Sequence, residues 1–281
     1  MPETIVVHKG HGLPYSKGLM AQALTASGLG PERSFELARI VERRLAELGA
    51  PEIDSEGLRA LAEEVLGDEE GDGAVRRYRN WQSLHRLDRP LVVLLGGTTG
   101  VGKSTVATML AARFGITRVI ATDVIRQVLR AFFSHEFMPS VHHSAFEAGG
   151  IDGYAEQAEQ VGTGIAAIVE RAANEGKPVV VEGVHVVPGS LDPKLSTRCV
   201  AVEALLVVED EDLHRGHFAH RGPGRPAERY LAGFDEIRAL QAHLAGRARE
   251  AGMPVIDNAN VDQALANLMQ LVLDKVGTEV S

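Results

Sequence analysis

The sequence predicts an α/β protein, a parallel five-stranded sheet flanked by helices, preceded by a small and mostly helical unit. Two observations carry this expectation. Residues 96–105 read Gly96-Gly97-Thr98-Thr99-Gly100-Val101-Gly102-Lys103-Ser104-Thr105 directly after the apolar run 91–95. That is the strand-then-loop order of a G-x-x-x-x-G-K-[ST] phosphate-binding loop. From residue 90 onward, unbroken apolar runs alternate with segments of helical periodicity, which is the pattern of a parallel sheet covered on both faces.

Taken in order, Ile5-Val6-Val7 is a short strand candidate, followed by the glycine-punctuated Gly10-His11-Gly12. A helix over 16–27 carries Leu19, Met20, Ala23 and Leu24, with Gly28 and Gly30 placed to close it. Pro31 opens a second helix with Leu37, Ile40, Val41, Leu45 and Leu48 on one face, ended by Gly49. Asp54 or Ser55 caps a third, which carries Leu58, Leu61, Ala62, Val65 and Leu66. The acidic, glycine-rich stretch 67–73 reads as a linker, and 75–87 as a connecting helix. This divides the chain into 1–72, a connector 73–89 and a second domain 90–281. In that domain the strand candidates are 91–95, 118–121, 179–182, 204–208 and 254–256. Ligands of such sheets bind beyond the carboxyl ends of the strands.

Glycines let the loop's backbone amides curl around a polyphosphate, and the positive end of the following helix adds to the attraction. The residues expected to hold the nucleotide are Gly97, Thr98, Thr99, Gly100, Val101, Gly102, Lys103, Ser104 and Thr105. Lys103 reaches for the β- and γ-phosphates, and the Ser104 hydroxyl is a ligand for Mg²⁺. The expected cofactors are ATP and Mg²⁺, in a P-loop NTPase-type fold.

Composition narrows the partners. The 281 residues carry a net charge of −9, with 24% charged and 44% hydrophobic residues, which argues against nucleic acid or an anionic membrane. No apolar run approaches the roughly 18 residues of a membrane span. The N-terminus lacks the basic start and long apolar stretch of a secretory signal. Cys199 is the only cysteine, so no intrachain disulfide is possible and a cytoplasmic setting is favoured. Nothing in the sequence indicates an oligomeric state.

Four further groups fall at the carboxyl ends of the strand candidates or between helices. Asp123 and Arg126 lie three residues apart, hence on one helix surface. Asp123 reads either as a helix N-cap or as the base that accepts a hydroxyl proton, with Arg126 holding an anionic group of the acceptor. Glu182 ends the third strand and reads either as a carboxylate ordering the water ligands of Mg²⁺ or as a local amide cap. His185 is expected in the pocket wall, while His142 and His143, adjacent in sequence, are a weak ligand pair. Arg215, Arg221, Arg225 and Arg229 surround a Gly/Pro-rich segment. They read either as a lid that closes over phosphates or as an exposed basic loop.

Together these residues resemble the 2-phosphoglycerate kinase family, P-loop kinases that make 2,3-diphosphoglycerate. The resemblance runs through Pro14-Tyr15-Ser16-Lys17-Gly18, the phosphate loop, and Thr122-Asp123-Val124-Ile125-Arg126. It continues in Glu182-Gly183-Val184-His185-Val186-Val187-Pro188-Gly189, Phe234-Asp235-Glu236-Ile237-Arg238 and Pro254-Val255-Ile256-Asp257-Asn258. It implies an ATP- and Mg²⁺-dependent kinase acting on a small phosphorylated acceptor. Lys103, Asp123, Arg126, Arg221 and Arg225 are then catalytic, Ser104 and Glu182 hold the metal, and Asp257 lies on the nucleotide side. The first domain is similar to an ATP-cone, a nucleotide-binding regulatory module, although the basic residue usual between Lys9 and Gly10 is absent. Two other expectations stay open, an inositol phosphate or nucleotide sugar as acceptor, and a nucleotide-operated regulatory protein without any small acceptor.

Overall fold

A computed structural model of the chain describes residues 4–8, 11–219 and 227–280. Its contacts divide the chain into two units, one of residues 1–86 with 273–281 and one of 87–272.

The first unit contains β1 (Ile5–His8), β2 (His11–Pro14), α1 (Lys17–Ala26), α2 (Pro31–Leu48), β3 (Glu52–Asp54), α3 (Ser55–Glu70) and α4 (Asp72–Ser83). Local chemistry sets the helix ends. The Ser16 hydroxyl accepts from the Leu19 amide, Pro31 occupies the first turn of α2, and Asp54 accepts from the Gly57 amide at 2.7 Å. Met20, Leu24, Leu37, Val41, Leu45, Val65, Leu66 and Tyr78 form one core. The strands are arranged β2-β1-β3, with β1 antiparallel to β2 and parallel to β3.

Two expectations are corrected here. The acidic stretch 67–73 is not a linker, because α3 runs to Glu70 and α4 begins at Asp72, with Gly71 alone between them. Cations from α2 make this possible. Arg33 binds Glu69 at 2.8 Å and Glu70 at 2.5 Å, and Arg44 reaches Asp68 at 3.4 Å, so the carboxylates are countered within the fold. Nor is α4 a connector. Its Ala74, Val75 and Tyr78 belong to the same core as α1 to α3, and the division of the chain falls after Arg86 instead of after residue 72.

The second unit contains β4 (Leu91–Gly96), α5 (Lys103–Phe114), β5 (Val119–Ala121), α6 (Thr122–Phe132), α7 (Gly150–Glu175), β6 (Val179–Glu182), α8 (Pro193–Ser196), β7 (Val200–Val207), α9 (Glu211–Ala219), α10 (Ala227–Ala232), α11 (Phe234–Glu250), β8 (Val255–Asp257) and the first part of α12 (Val261–Val280), whose residues from 273 onward belong to the first unit. Two 3-10 turns, Pro139–His142 and Ala145–Glu147, lie between α6 and α7. All four strand pairings are parallel, in the order β5-β6-β4-β7-β8. β7 is longer than its apolar run suggests, because 200–203 also pair with 91–94 across Glu203.

This order places a topological switch at β4. The chain leaves β4, skips one position to form β5, returns through β6, and then forms β7 on the opposite side of β4. A crevice therefore opens beyond the carboxyl end of β4, where the glycine loop begins. Every residue of β4 is buried, as a central strand covered on both faces requires. Among the described residues no helix is long and apolar enough to cross a membrane.

A chain beginning at residue 73 would retain α4 while losing the helices that cover Val75 and Tyr78. It is expected to aggregate at lower concentration than one beginning at residue 87, as measured by light scattering against concentration.

Candidate active site

The glycine loop is held from outside through its carbonyls. Lys103 Nζ donates to Thr98 O (2.6 Å), His214 Nε2 to Thr99 O (3.0 Å), His217 Nδ1 to Gly100 O (2.9 Å) and Asn258 Nδ2 to Val101 O (2.9 Å). In a trans peptide the carbonyl of one residue and the amide of the next point in opposite directions. Tying four successive carbonyls outward therefore turns the amides of Thr99, Gly100, Val101 and Gly102 into the loop's concavity, at the N-terminus of α5. The result is a nest of donors suited to a phosphate. Gly102 has φ +84°, and a Cβ there would stand 2.4 Å from Asn258 Nδ2, so the brace and the glycine require each other.

The braces are themselves fixed. His214 is fully buried on α9, stacked on Phe218 and edge-on to Phe234. Its Nε2 faces a carbonyl and must carry the proton, while Nδ1 faces Arg238 Nη1 at 3.5 Å and must accept. Burial, aided by Arg238, pushes its pKa down to about 4, so the ring is neutral near pH 7. From α11, Arg238 donates to Val208 O (2.6 Å) and Glu209 O (3.0 Å), and Gln241 exchanges two hydrogen bonds with the Val208 backbone. Asp257 accepts from the Glu209 amide at 3.0 Å and ties the ends of β7 and β8 together. It is the next residue, Asn258, that touches the loop.

At the base of the crevice the Ser104 hydroxyl donates to Glu182 Oε1 at 2.8 Å. Glu182 is buried, between Leu95 of β4 and Ala121 of β5 in register. Beyond it Gly183 has φ +154°, and a Cβ there would stand 1.8 Å from Thr122 Oγ1. That hydroxyl is committed to His185 Nδ1 at 2.9 Å, and His185 Nε2 meets Gln157 Oε1 at 2.9 Å. Gln157 donates through its Nε2 to the carbonyls of Ser140 and His143. Its oxygen must therefore accept, which assigns the proton of His185 to Nε2. Burial lowers the His185 pKa to about 4, with nearby Arg126 and Lys103 acting in the same direction against Asp123. His185 is thus the centre of a buried network instead of a pocket-wall residue.

Asp123 is not the helix cap. Ala121 holds that position, and Asp123 sits in the first turn of α6 with 69% of its side chain exposed. Arg126 is 11% exposed at its side chain, with Nε 3.3 Å from Asp123 Oδ1. Its Nη1 donates to Val141 O (3.2 Å) and His143 O (3.0 Å), so it fixes the first 3-10 turn against α6. Of the cationic group expected to form a lid, Arg215 lies 3.9 Å over the Phe234 ring. Arg229 grips Glu147 with Nε at 2.8 Å and with Nη2, and Ser144 Oγ at 2.9 Å. This pairing holds the Glu147 carboxyl below its usual range. Arg221 and Arg225 lie outside the described residues, as do Lys9 and Gly10.

No family model matches the chain. Among curated proteins it is 34% identical over 286 residues to the 2-phosphoglycerate kinase of Methanopyrus kandleri, covering 96% of this chain and 87% of the relative. It is 34% identical over 284 residues to that of Pyrococcus horikoshii, covering 96% and 94%. With that of Methanocaldococcus jannaschii it shares 32% over 290 residues, covering 99% and 94%. Among solved structures, a gluconokinase from Sinorhizobium meliloti shares 20% identity at a TM-score of 0.38, over 67% of this chain and 93% of that one. A shikimate kinase from Acinetobacter baumannii in complex with shikimate shares 17% at 0.42, over 68% and 97%.

Because His185 and His214 are held neutral, their pKa values of about 4 lie below the roughly 6.5 of an unfolded histidine. Their contribution to stability is complete above pH 6.5 or so and is lost as pH falls toward 4. Thermal unfolding midpoints should therefore drop over that window. His185→Gln, which keeps both a donor and an acceptor, should flatten the drop. Gly183→Ala should destabilise the fold by about 1–3 kcal/mol in denaturant titrations, from its backbone conformation and the clash with Thr122.

Proposed function

The chain belongs to the 2-phosphoglycerate kinase family, and we propose that it transfers the γ-phosphoryl group of ATP to the hydroxyl of 2-phosphoglycerate, giving 2,3-diphosphoglycerate. The observation that carries this reading is the exposed Asp123 carboxylate in the first turn of α6, directly after the strand next to β6, with the braced phosphate loop and the Ser104–Glu182 pair on the same end of the sheet. The nearly full-length similarity to enzymes of that name points to the acceptor.

In this reading the inward amides of 99–102 and the N-terminus of α5 bind the β-phosphate, and Lys103 moves from Thr98 O to the transferring group. Ser104 and Glu182 offer hard oxygen donors within 2.8 Å of one another, one of them a buried carboxylate. That set fits Mg²⁺, which Ser104 and Glu182 would hold. When bound, the ion neutralises charge on the β- and γ-phosphates. Asp123 accepts the proton of the attacking hydroxyl and orients it. Arg126 holds that carboxylate and the turn beside it. Arg221 and Arg225, outside the described residues, are the cations expected to act on the phosphates, and Asp257 sets the nucleotide side by joining β7 to β8. The reaction moves one phosphoryl group from ATP to the acceptor oxygen and releases ADP and a proton.

For the first unit we favour an ATP-cone-like regulatory module. Its support is a cavity of about 520 Å³ within that unit, walled by Val6, Leu13, Leu19, Met20, Tyr78 and Trp81, with the apolar lining a nucleobase needs.

The reading is tested by coupled ATPase turnover with 2-phosphoglycerate set against inositol phosphates and nucleotide sugars. Lys103→Ala should abolish transfer. Asp123→Asn should lower kcat by about 10²–10⁴-fold, the range for losing a positioned base, with ATP binding unchanged. Turnover confined to another acceptor would displace 2-phosphoglycerate, and ATP binding without any transfer would favour a regulatory protein.

A further inference from the structure

If the enzyme takes a phosphorylated acceptor, it must recognise a second phosphate besides those of ATP. Arg126, the obvious cation, is buried, with Nε on Asp123 and Nη1 on two backbone carbonyls. What it holds is the segment between α6 and α7, whose Ser140, Val141 and His143 carbonyls are all gripped from the buried side by Arg126 and Gln157. Ser140 Oγ adds a bond to Gln160 at 2.6 Å. A loop anchored this heavily from beneath is a rigid platform for what it presents to solvent.

It presents imidazoles. The rings of His135 and His143 meet edge to face at 5.6 Å, and His135 meets His142 at 5.4 Å. His142 Nε2 is 3.0 Å from Phe133 O, which commits its proton to the loop's own backbone. His135 and His143 are exposed. No group of three His, Cys, Asp or Glu among the described residues is placed to hold a metal. One guanidinium, that of Arg126, bridges the Asp123 carboxylate and the His143 carbonyl, which ties the backbone of this segment to the candidate base.

We infer that His135 and His143 bind the acceptor's own phosphate through their ring N–H groups, with His142 and Arg126 as positioning residues. The inference rests on the kinase reading above. Imidazole donors directed at a phosphate form charge-assisted hydrogen bonds, and they orient the acceptor hydroxyl toward Asp123.

The test is the steady-state kinetics of His135→Ala, His143→Ala and His143→Asn, with 2-phosphoglycerate and with glycerate, together with imidazole NMR shifts of the wild type on titration. For the alanine variants the KM for 2-phosphoglycerate should rise tenfold or more. The KM for ATP, the KM for glycerate and the melting temperature should stay unchanged, while His143→Asn, which keeps a donor, should recover part of the loss. In the wild type two imidazole signals, absent from the respective variants, should move with 2-phosphoglycerate and not with glycerate. An unchanged KM for 2-phosphoglycerate in both alanine variants would overturn the inference and leave the kinase reading standing. So would an equal loss for glycerate, which would mean the acceptor's carboxylate is what the rings read, or a parallel fall in melting temperature that His143→Asn does not restore. Failure of the wild type to phosphorylate any small phosphorylated acceptor would remove the kinase reading, and this inference with it.

Discussion

The second unit depends on one constraint, that a loop of mostly small residues must show its amides to the crevice and its carbonyls to the protein. Left to itself such a segment would sample many conformations, glycine most of all. Four side-chain donors remove that freedom by taking successive carbonyls from Thr98 to Val101. The donors come from three places: one is the loop's own lysine, two stand on α9, and one directly follows β8. The loop thus acts as a keystone whose shape requires α9, α11 and the last strand to be in position. A neutral, fully buried His214 is a by-product of this demand, since a ring wedged between a carbonyl and a guanidinium has room for one proton only.

A second polar network plays the same part on the other side of β4. Thr122, His185 and Gln157 form a chain of hydrogen bonds that ends on the carbonyls of the turn after α6. Arg126 ends on the same turn from the other side. Buried polar groups of this kind are costly unless fully satisfied. Their presence at one end of the sheet marks where the backbone must be held in place for reasons other than burial. The Gly183–Thr122 approach shows the tolerance involved, because no side chain larger than a hydrogen fits there without movement.

The sequence made legible what is contiguous, and failed where the cause lies far along the chain. The phosphate loop, its strand and its helix could be read because their signals sit within a few residues of each other. The 179–182 strand was legible as an uninterrupted apolar run, whereas β7 was under-read because Glu203 breaks one. The braces His214, His217 and Asn258 stand 115, 117 and 157 residues from the carbonyls they hold, and no spacing rule reaches that far. The acidic stretch read as a linker failed for the same reason, since the arginines that make it helical belong to α2. Strands β2 and β3 escaped notice because neither is an apolar run, each carrying one aliphatic side chain, Leu13 and Ile53, among polar residues, glycine or proline.

The chain has a single tryptophan, Trp81, and it lines the cavity of the first unit. The sheet and the phosphate loop of the second unit contain none. Indole emission therefore watches one half of the molecule while the other stays dark. Anything that enters the cavity, or that loosens α4 around it, changes the colour and intensity of that light. Events confined to the loop leave it untouched unless they are transmitted between the units, so the protein carries a built-in optical meter of communication between its two parts.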